Sequence, residues 1–132
     1  MSRLVTAGIL GAIAISTRYR LLAAGLLGAT AIALGAFGAH GLKERFALIP
    51  EAAGWWETAT FYLLTHAVAI GAIASRSVWP ARLWAVGAAI FAATLYVMAL
   101  GAPRWFGAIT PIGGSLLIAG WVVLVWTARK ES

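Results

Sequence analysis

The sequence predicts an all-α integral membrane protein, a four-helix bundle with room for a short N-terminal interfacial helix ahead of it. Three observations carry this prediction. Of 132 residues, 62% are hydrophobic and 11% charged, whereas a soluble domain carries roughly 25% charged and about 45–50% apolar residues. The mean hydropathy is +0.91, too high to hide inside a globule this small, which has too much surface for its volume. Four stretches free of charge are each long enough to cross the hydrocarbon, which takes roughly 17–25 helical residues. A soluble enzyme, a soluble binding module and a disordered tail are therefore excluded. The chain contains no Asp, Asn, Gln or Cys, which removes disulfides and thiolate chemistry.

Residues 1–17 come first. Leu4–Ile15 is an apolar run too short to span, with Arg3 before it and an Ala-x-Ala at Ala12–Ala14 faintly like a cleavage site. This segment is expected to be an interfacial helix or a start-site extension, leaving 18–132 as the four-span domain. The spans are placed at 21–39, 53–74, 83–100 and 106–126, between basic residues and without strand alternation. Small residues in the first span (Gly25, Gly28, Ala31, Gly35, Gly38) and in the fourth (Gly113, Gly114, Gly120) permit close helix approach, the main route to association where lipid is as apolar as Leu. Thr110-Pro111 reads as the capped start of the fourth span's packed part.

An even number of spans puts both termini on one side with Arg3, Arg18, Arg20, Arg76, Arg82, Arg129 and Lys130, against Lys43, Arg45 and Arg104 on the other. Basic residues favour the cytoplasm, so both termini are expected inside. The net charge of +6 reflects this topology and contact with anionic headgroups, not a nucleic-acid surface. Six tryptophans (Trp55, Trp56, Trp79, Trp84, Trp105, Trp126) fall near span ends, as an aromatic belt requires, and Trp121 lies deeper.

Polar residues inside the spans are few, and each costs free energy unless paired. Thr30, His66, Thr94 and Ser115 are expected in one layer near the middle, able to hydrogen-bond across helices. Thr58, Tyr62 and His66 share one helix face at a spacing of four, with Tyr96 nearer the outside. Glu57 and His40 lie at similar depth and are expected to pair, with Lys43 or Arg104 reaching the same carboxylate. Two histidines at different depths make a bis-His haem unsuited to one chain, and a metal site lacks ligands. No cofactor, catalytic residue or enzymatic activity is expected.

Several ordered motifs look familiar. Gly35-Ala36-Phe37-Gly38-Ala39-His40-Gly41-Leu42-Lys43 resembles the signature of the YgdD-like family of small bacterial inner-membrane proteins, a domain of unknown function. Trp56, Thr58-Ala59, Tyr62 and His66-Ala67 resemble its second-span pattern. Phe91 to Leu95-Tyr96 is similar to its third, with Ala93 and Thr94 where Gly and Ser are usual. Ile109-Thr110-Pro111-Ile112-Gly113-Gly114 and Gly120-Trp121 resemble its fourth. The resemblance covers about Arg18 to Val125. It implies a four-helix protein of the bacterial plasma membrane and no established reaction, substrate or cofactor.

The function expected from the residues is that of a non-catalytic accessory or assembly factor of a membrane complex, in contact with lipid and with a membrane-protein partner or another copy of itself. The alternative is a carrier or channel for a proton or small solute, using His40, Glu57 and His66.

Overall fold

Four prolines punctuate the chain. Pro50 precedes one helix, Pro80 and Pro111 sit in the first turns of two others, and Pro103 precedes a short 3₁₀ turn. A proline lacks the N–H that a helix interior needs but loses nothing in a first turn. The computed structural model, which describes residues 2–130, follows this punctuation. Its elements are α1 (Arg3–Gly41), α2 (Lys43–Leu48), α3 (Ala52–Ala72), α4 (Trp79–Ala99), the 3₁₀ turn Arg104–Ala108 and α5 (Thr110–Lys130).

Two expectations about boundaries change. Residues 3–17 are not a separate element: they run without a break into the first span, giving one helix of 39 residues capped by the Ser2 side chain on the Val5 amide. No proline occurs before Pro50, so nothing stops the helix between Ile15 and Leu21. At 1.5 Å per residue it is about 58 Å long, nearly twice the roughly 30 Å of bilayer hydrocarbon. Phe106 lies in the 3₁₀ turn Arg104–Ala108, so the α-helix of the fourth span opens only at Thr110, within an apolar segment that runs from Arg104. The loop between the first two spans also holds α2, which apolar periodicity did not signal.

The four long helices pack in chain order, α1 on α3, α3 on α4 and α4 on α5, with a slighter contact between α1 and α4. Neighbours run antiparallel. Arg20 and Leu34 of α1 meet Ala74, just past α3, and Trp56 at the start of α3. Thr94 of α4 meets Thr110 of α5. Antiparallel order gathers Arg18, Arg20, Arg76, Arg82, Arg129 and Lys130 at one end of the bundle. The acidic Glu44, Glu51 and Glu57 stand at the other with Lys43, Arg45 and Arg104.

α3 and α4 are central and carry most of the core, including Trp56, Ile70, Trp84 and Leu95. α1, α4 and the segment Arg104–Lys130 are long and apolar enough to cross a membrane. α3 is also 21 residues long but less apolar, because Glu57, Thr58, Thr60, Tyr62, Thr65 and His66 lie within it.

The turn after α4 is fixed by one glycine. Gly101 has φ of 102°, a region that side chains with a Cβ disfavour. The amides of Gly101 and Ala102 bond back to Met98 O (3.0 Å) and Val97 O (2.9 Å), which satisfies carbonyls at the helix end. The Arg45 guanidinium donates to Leu100 O and so ties α2 to the same end.

Candidate functional site: two aromatic nodes between the helices

The polar and aromatic side chains of the interior gather at two levels. The first node joins α1, α3 and α4 near the acidic end. Trp56 lies over Gly38 of α1, where a Cβ would collide with the indole. Its Nε1–H donates to Leu34 O at 2.7 Å. A small residue at 38 lets the ring approach the helix backbone, so Gly38 and Trp56 form one joint. The Tyr96 ring meets Trp56 edge-on at 4.6 Å between centroids, and its hydroxyl lies 2.9 Å from Thr60 Oγ1. Gly35 completes the joint, with the Thr60 methyl close above it.

The second node joins α3, α4 and α5. His66 is 5% exposed. Its Nδ1 is 2.8 Å from Tyr62 O, and its Nε2 is 3.1 Å from Trp121 Nε1. A carbonyl can only accept and an indole N–H can only donate, so the ring is neutral with its proton on Nδ1. Both nitrogens are thereby engaged within the protein. The Tyr62 ring stacks on His66, and the Trp84 and Trp121 rings stand against it. Trp84 and Trp121 lie 4.5 Å apart between centroids, and Gly120 makes room for Trp84. Trp84 Nε1 is buried without a hydrogen-bond partner among the described residues.

Between the nodes, α4 and α5 approach almost backbone to backbone. A Cβ at Gly113 would lie 2.9 Å from the Phe91 Cα, and one at Gly87 would lie 2.9 Å from Gly113 O. Thr94 Oγ1 is 2.8 Å from Thr110 Oγ1 and also bonds Ile90 O and Phe91 O on its own helix.

Several sequence expectations are corrected here. The middle polar layer does not form one network. Thr30 is exposed, Ser115 bonds its own helix at Pro111 O, His66 pairs with Trp121, and Thr94 with Thr110. Helices apolar all round carry little signal of which face turns inward, so depth alone misassigned the partners. Thr110 does not cap α5, because its hydroxyl is turned to Thr94. Pro111 sits exposed in the first turn, and α5 continues unbroken past Gly113 and Gly114.

The expected pairing of His40 with Glu57 is absent. Both are exposed, and neither makes an ion pair among the described residues. Arg104 pairs with Glu51 at 3.1 Å and lies over the Trp55 ring, because the turn after α4 lands beside the start of α3. Glu57 and Lys43 instead line a shared groove between α1 and α3, with Gly35, Gly38 and Trp56. Thr58 is exposed, although Tyr62 and His66 are joined as their spacing suggested.

Trp84 and Trp56 leave the expected aromatic belt for the core. Trp84 lies inside α4 beyond Pro80, and Gly120 on the facing helix leaves space for its ring. Among the described residues, no group of three or more His, Cys, Asp or Glu is placed to hold a metal ion.

Fold and site together describe a small helical membrane protein whose interior polar groups join helices to one another. Comparison with known proteins agrees. A family described as "Protein of unknown function (DUF423)" matches residues 34–114. A UPF0382 membrane protein of Staphylococcus saprophyticus is 42% identical over 101 residues, covering 71% of this chain and 82% of the relative. The UPF0382 inner membrane protein YgdD of Escherichia coli is 32% identical over 119 residues, covering 84% of this chain and 89% of the relative. A UPF0382 membrane protein of Haemophilus influenzae is 36% identical over 107 residues, covering 76% and 85%. No solved structure matches. The chain belongs to this family of membrane proteins of unknown function. Both nodes fall largely within the matched residues, whereas the first 33 residues and Gly120-Trp121 lie outside them.

Proposed function

We propose that the chain crosses the bacterial plasma membrane four times with both termini in the cytoplasm, and acts as a non-catalytic accessory or assembly partner of a larger membrane complex. The carrying observation is the use made of the interior polar groups. His66, Thr60, Tyr96, Thr94 and Thr110 all bond another helix, which accounts for their presence without a reaction. Meanwhile α1 and α5 turn large apolar side chains outward, among them Leu26, Ile32, Ile118, Val122 and Trp126. These outward faces meet lipid and are the surfaces available to a partner.

Orientation is supported by six basic residues at one end of the bundle against three at the other. Four passes are supported by the antiparallel packing of α3 between α1 and α4, which buries His66 and half-buries Thr60. Conduction through His40, Glu57 and His66 draws less support, because His66 is enclosed by Tyr62, Trp84 and Trp121 while the other two lie on the surface.

Deleting the gene and resolving membrane complexes on native gels, with mass spectrometry of proteins retained by the tagged chain in mild detergent, tests the role. A complex that loses abundance on deletion and co-purifies with the chain is the expected result. Unchanged complexes together with solute flux in proteoliposomes that His66→Ala abolishes would overturn it in favour of conduction.

A further inference from the structure

Arg20 is an unusual residue for its place. It is 8% exposed, and its guanidinium is held by neutral partners. Nε donates to Ala74 O, Nη1 to Ser16 Oγ at 3.0 Å and Nη2 to Thr17 Oγ1 at 3.4 Å. A guanidinium has five N–H donors, and among the described residues two of them have no acceptor and no carboxylate lies within ion-pair reach. A buried cation without a counter-charge is costly.

Two grooves adjoin at this side chain. The first, of about 480 Å³, runs along α1 and α4 and is lined by Arg20, Arg82, Ala23, Ile70, Ala81 and Ala85 among others. The second, of about 430 Å³, lies farther toward the bundle end, with Arg20, Ser16, Ser75 and Arg76. Each is within the roughly 300–1,000 Å³ of small-molecule sites. Arg76 and Arg82 are exposed beside Arg20, and apolar wall extends from them toward the middle of the bundle through Ala23, Ile70 and Ala85 and outward along α1 through Ala12 and Ile13.

We propose that an anionic phospholipid binds here, its phosphate between Arg20, Arg76 and Arg82 and one acyl chain along the wall of Ala23, Ile70, Ala81 and Ala85. Arginine suits a phosphate because its planar fork gives paired charge-assisted bonds. The phosphate supplies the counter-charge and acceptors that Arg20 lacks among the described residues. A soluble anion would leave the apolar wall bare, which favours a lipid. The site stands independently of the assembly role, since it needs only that this end of the bundle reach the membrane interface.

The test uses the full chain purified in detergent, with native mass spectrometry of retained lipid. Phosphatidylglycerol and phosphatidylcholine of identical acyl chains are offered in competition. One phosphatidylglycerol per chain is expected to be retained in preference. Arg20→Gln tests the buried contact but risks the fold, so the exposed pair Arg76→Gln/Arg82→Gln is the main variant. It should weaken retention by about tenfold or more, each basic residue contributing a share. Arg104→Gln at the opposite end should leave retention unchanged. Ala85→Phe, which fills the acyl wall and leaves the arginines in place, should weaken it as well. Equal retention of the two lipids, an unchanged Arg76→Gln/Arg82→Gln variant, an unaffected Ala85→Phe variant, or displacement of the lipid by millimolar inorganic phosphate would each overturn the proposal.

Discussion

The central helices and the flanking helices solve opposite problems with similar compositions. Half of α4's most apolar stretch is buried against the rest of the protein, whereas for α1 the share is 11% and for the segment ending in α5 it is 17%. α4 is gripped on two sides, by α3 and by α5, and holds the buried Trp84, Thr94 and Tyr96. α1 contributes one packed edge, Ala31, Gly38 and Arg20, and leaves the rest outward. The difference shows that hydrophobicity does not decide burial in such a protein. In a bilayer, close backbone approach and hydrogen bonds decide it, and those are concentrated where Gly87 meets Gly113 and where His66 meets Trp121.

The sharpest way to break this contrast is to add the same side chain at two glycines. Gly113→Leu forces the α4 and α5 backbones apart and should cost about 1–3 kcal/mol or more, as overpacking does. Gly25→Leu meets open space, with no atom within 4 Å of an added Cβ, and should leave stability unchanged or raise it, since Leu is the better helix former. Thermal unfolding in detergent, followed by size-exclusion recovery, compares the two. Equal losses would mean that α1 is packed on a side where the structure leaves it bare.

A smaller effect is expected at the joint where Trp56 of α3 meets Gly38 of α1. Gly38→Val displaces the Trp56 indole and breaks its bond to Leu34 O, whereas Gly28→Ala, with Ala67 Cβ at 3.7 Å, fits without a shift. The first should lower the unfolding temperature and change the tryptophan emission, and the second should do neither.

Weaker still is the hydroxyl pair between α4 and α5. Thr94→Val and Thr110→Val should each cost about 0.6 kcal/mol, the average for interhelical hydrogen bonds in membranes. The double variant should cost less than the sum, because either change alone already removes the shared bond. The smallest effect belongs to the solvent-facing pair. Arg104→Gln removes an ion pair whose side chains are 74% and 48% exposed and should change stability by only about 0.2 kcal/mol, an effect that high salt should mimic.

Much of the candidate site was legible as residue types and little of it as pairs. Tyr62 and His66 were readable because a spacing of four places them on one face whatever the tertiary arrangement. Gly38 and Gly113 were readable as points of close approach because a small residue lets another helix come near, whereas Gly25, read the same way, meets open space. Arg104 with Glu51 was not, because Glu57 lay at the expected depth and only the Gly101 turn brings Arg104 beside the start of α3. Arg20 was legible as a topological charge and not as a buried one, since its burial depends on Ala74 arriving from 54 residues away.

By itself the sequence determined the environment, the four long helices and their punctuation. These follow from properties summed over a local window: transfer free energy, the missing N–H of proline and the reach of a helical rise. Only the tertiary structure decided that α3 and α4 form the centre and that Trp121, not a carboxylate, faces His66. Those outcomes depend on how each helix is rotated about its axis, and a helix that is apolar on every side leaves that rotation to the small residues and hydrogen bonds of its neighbours.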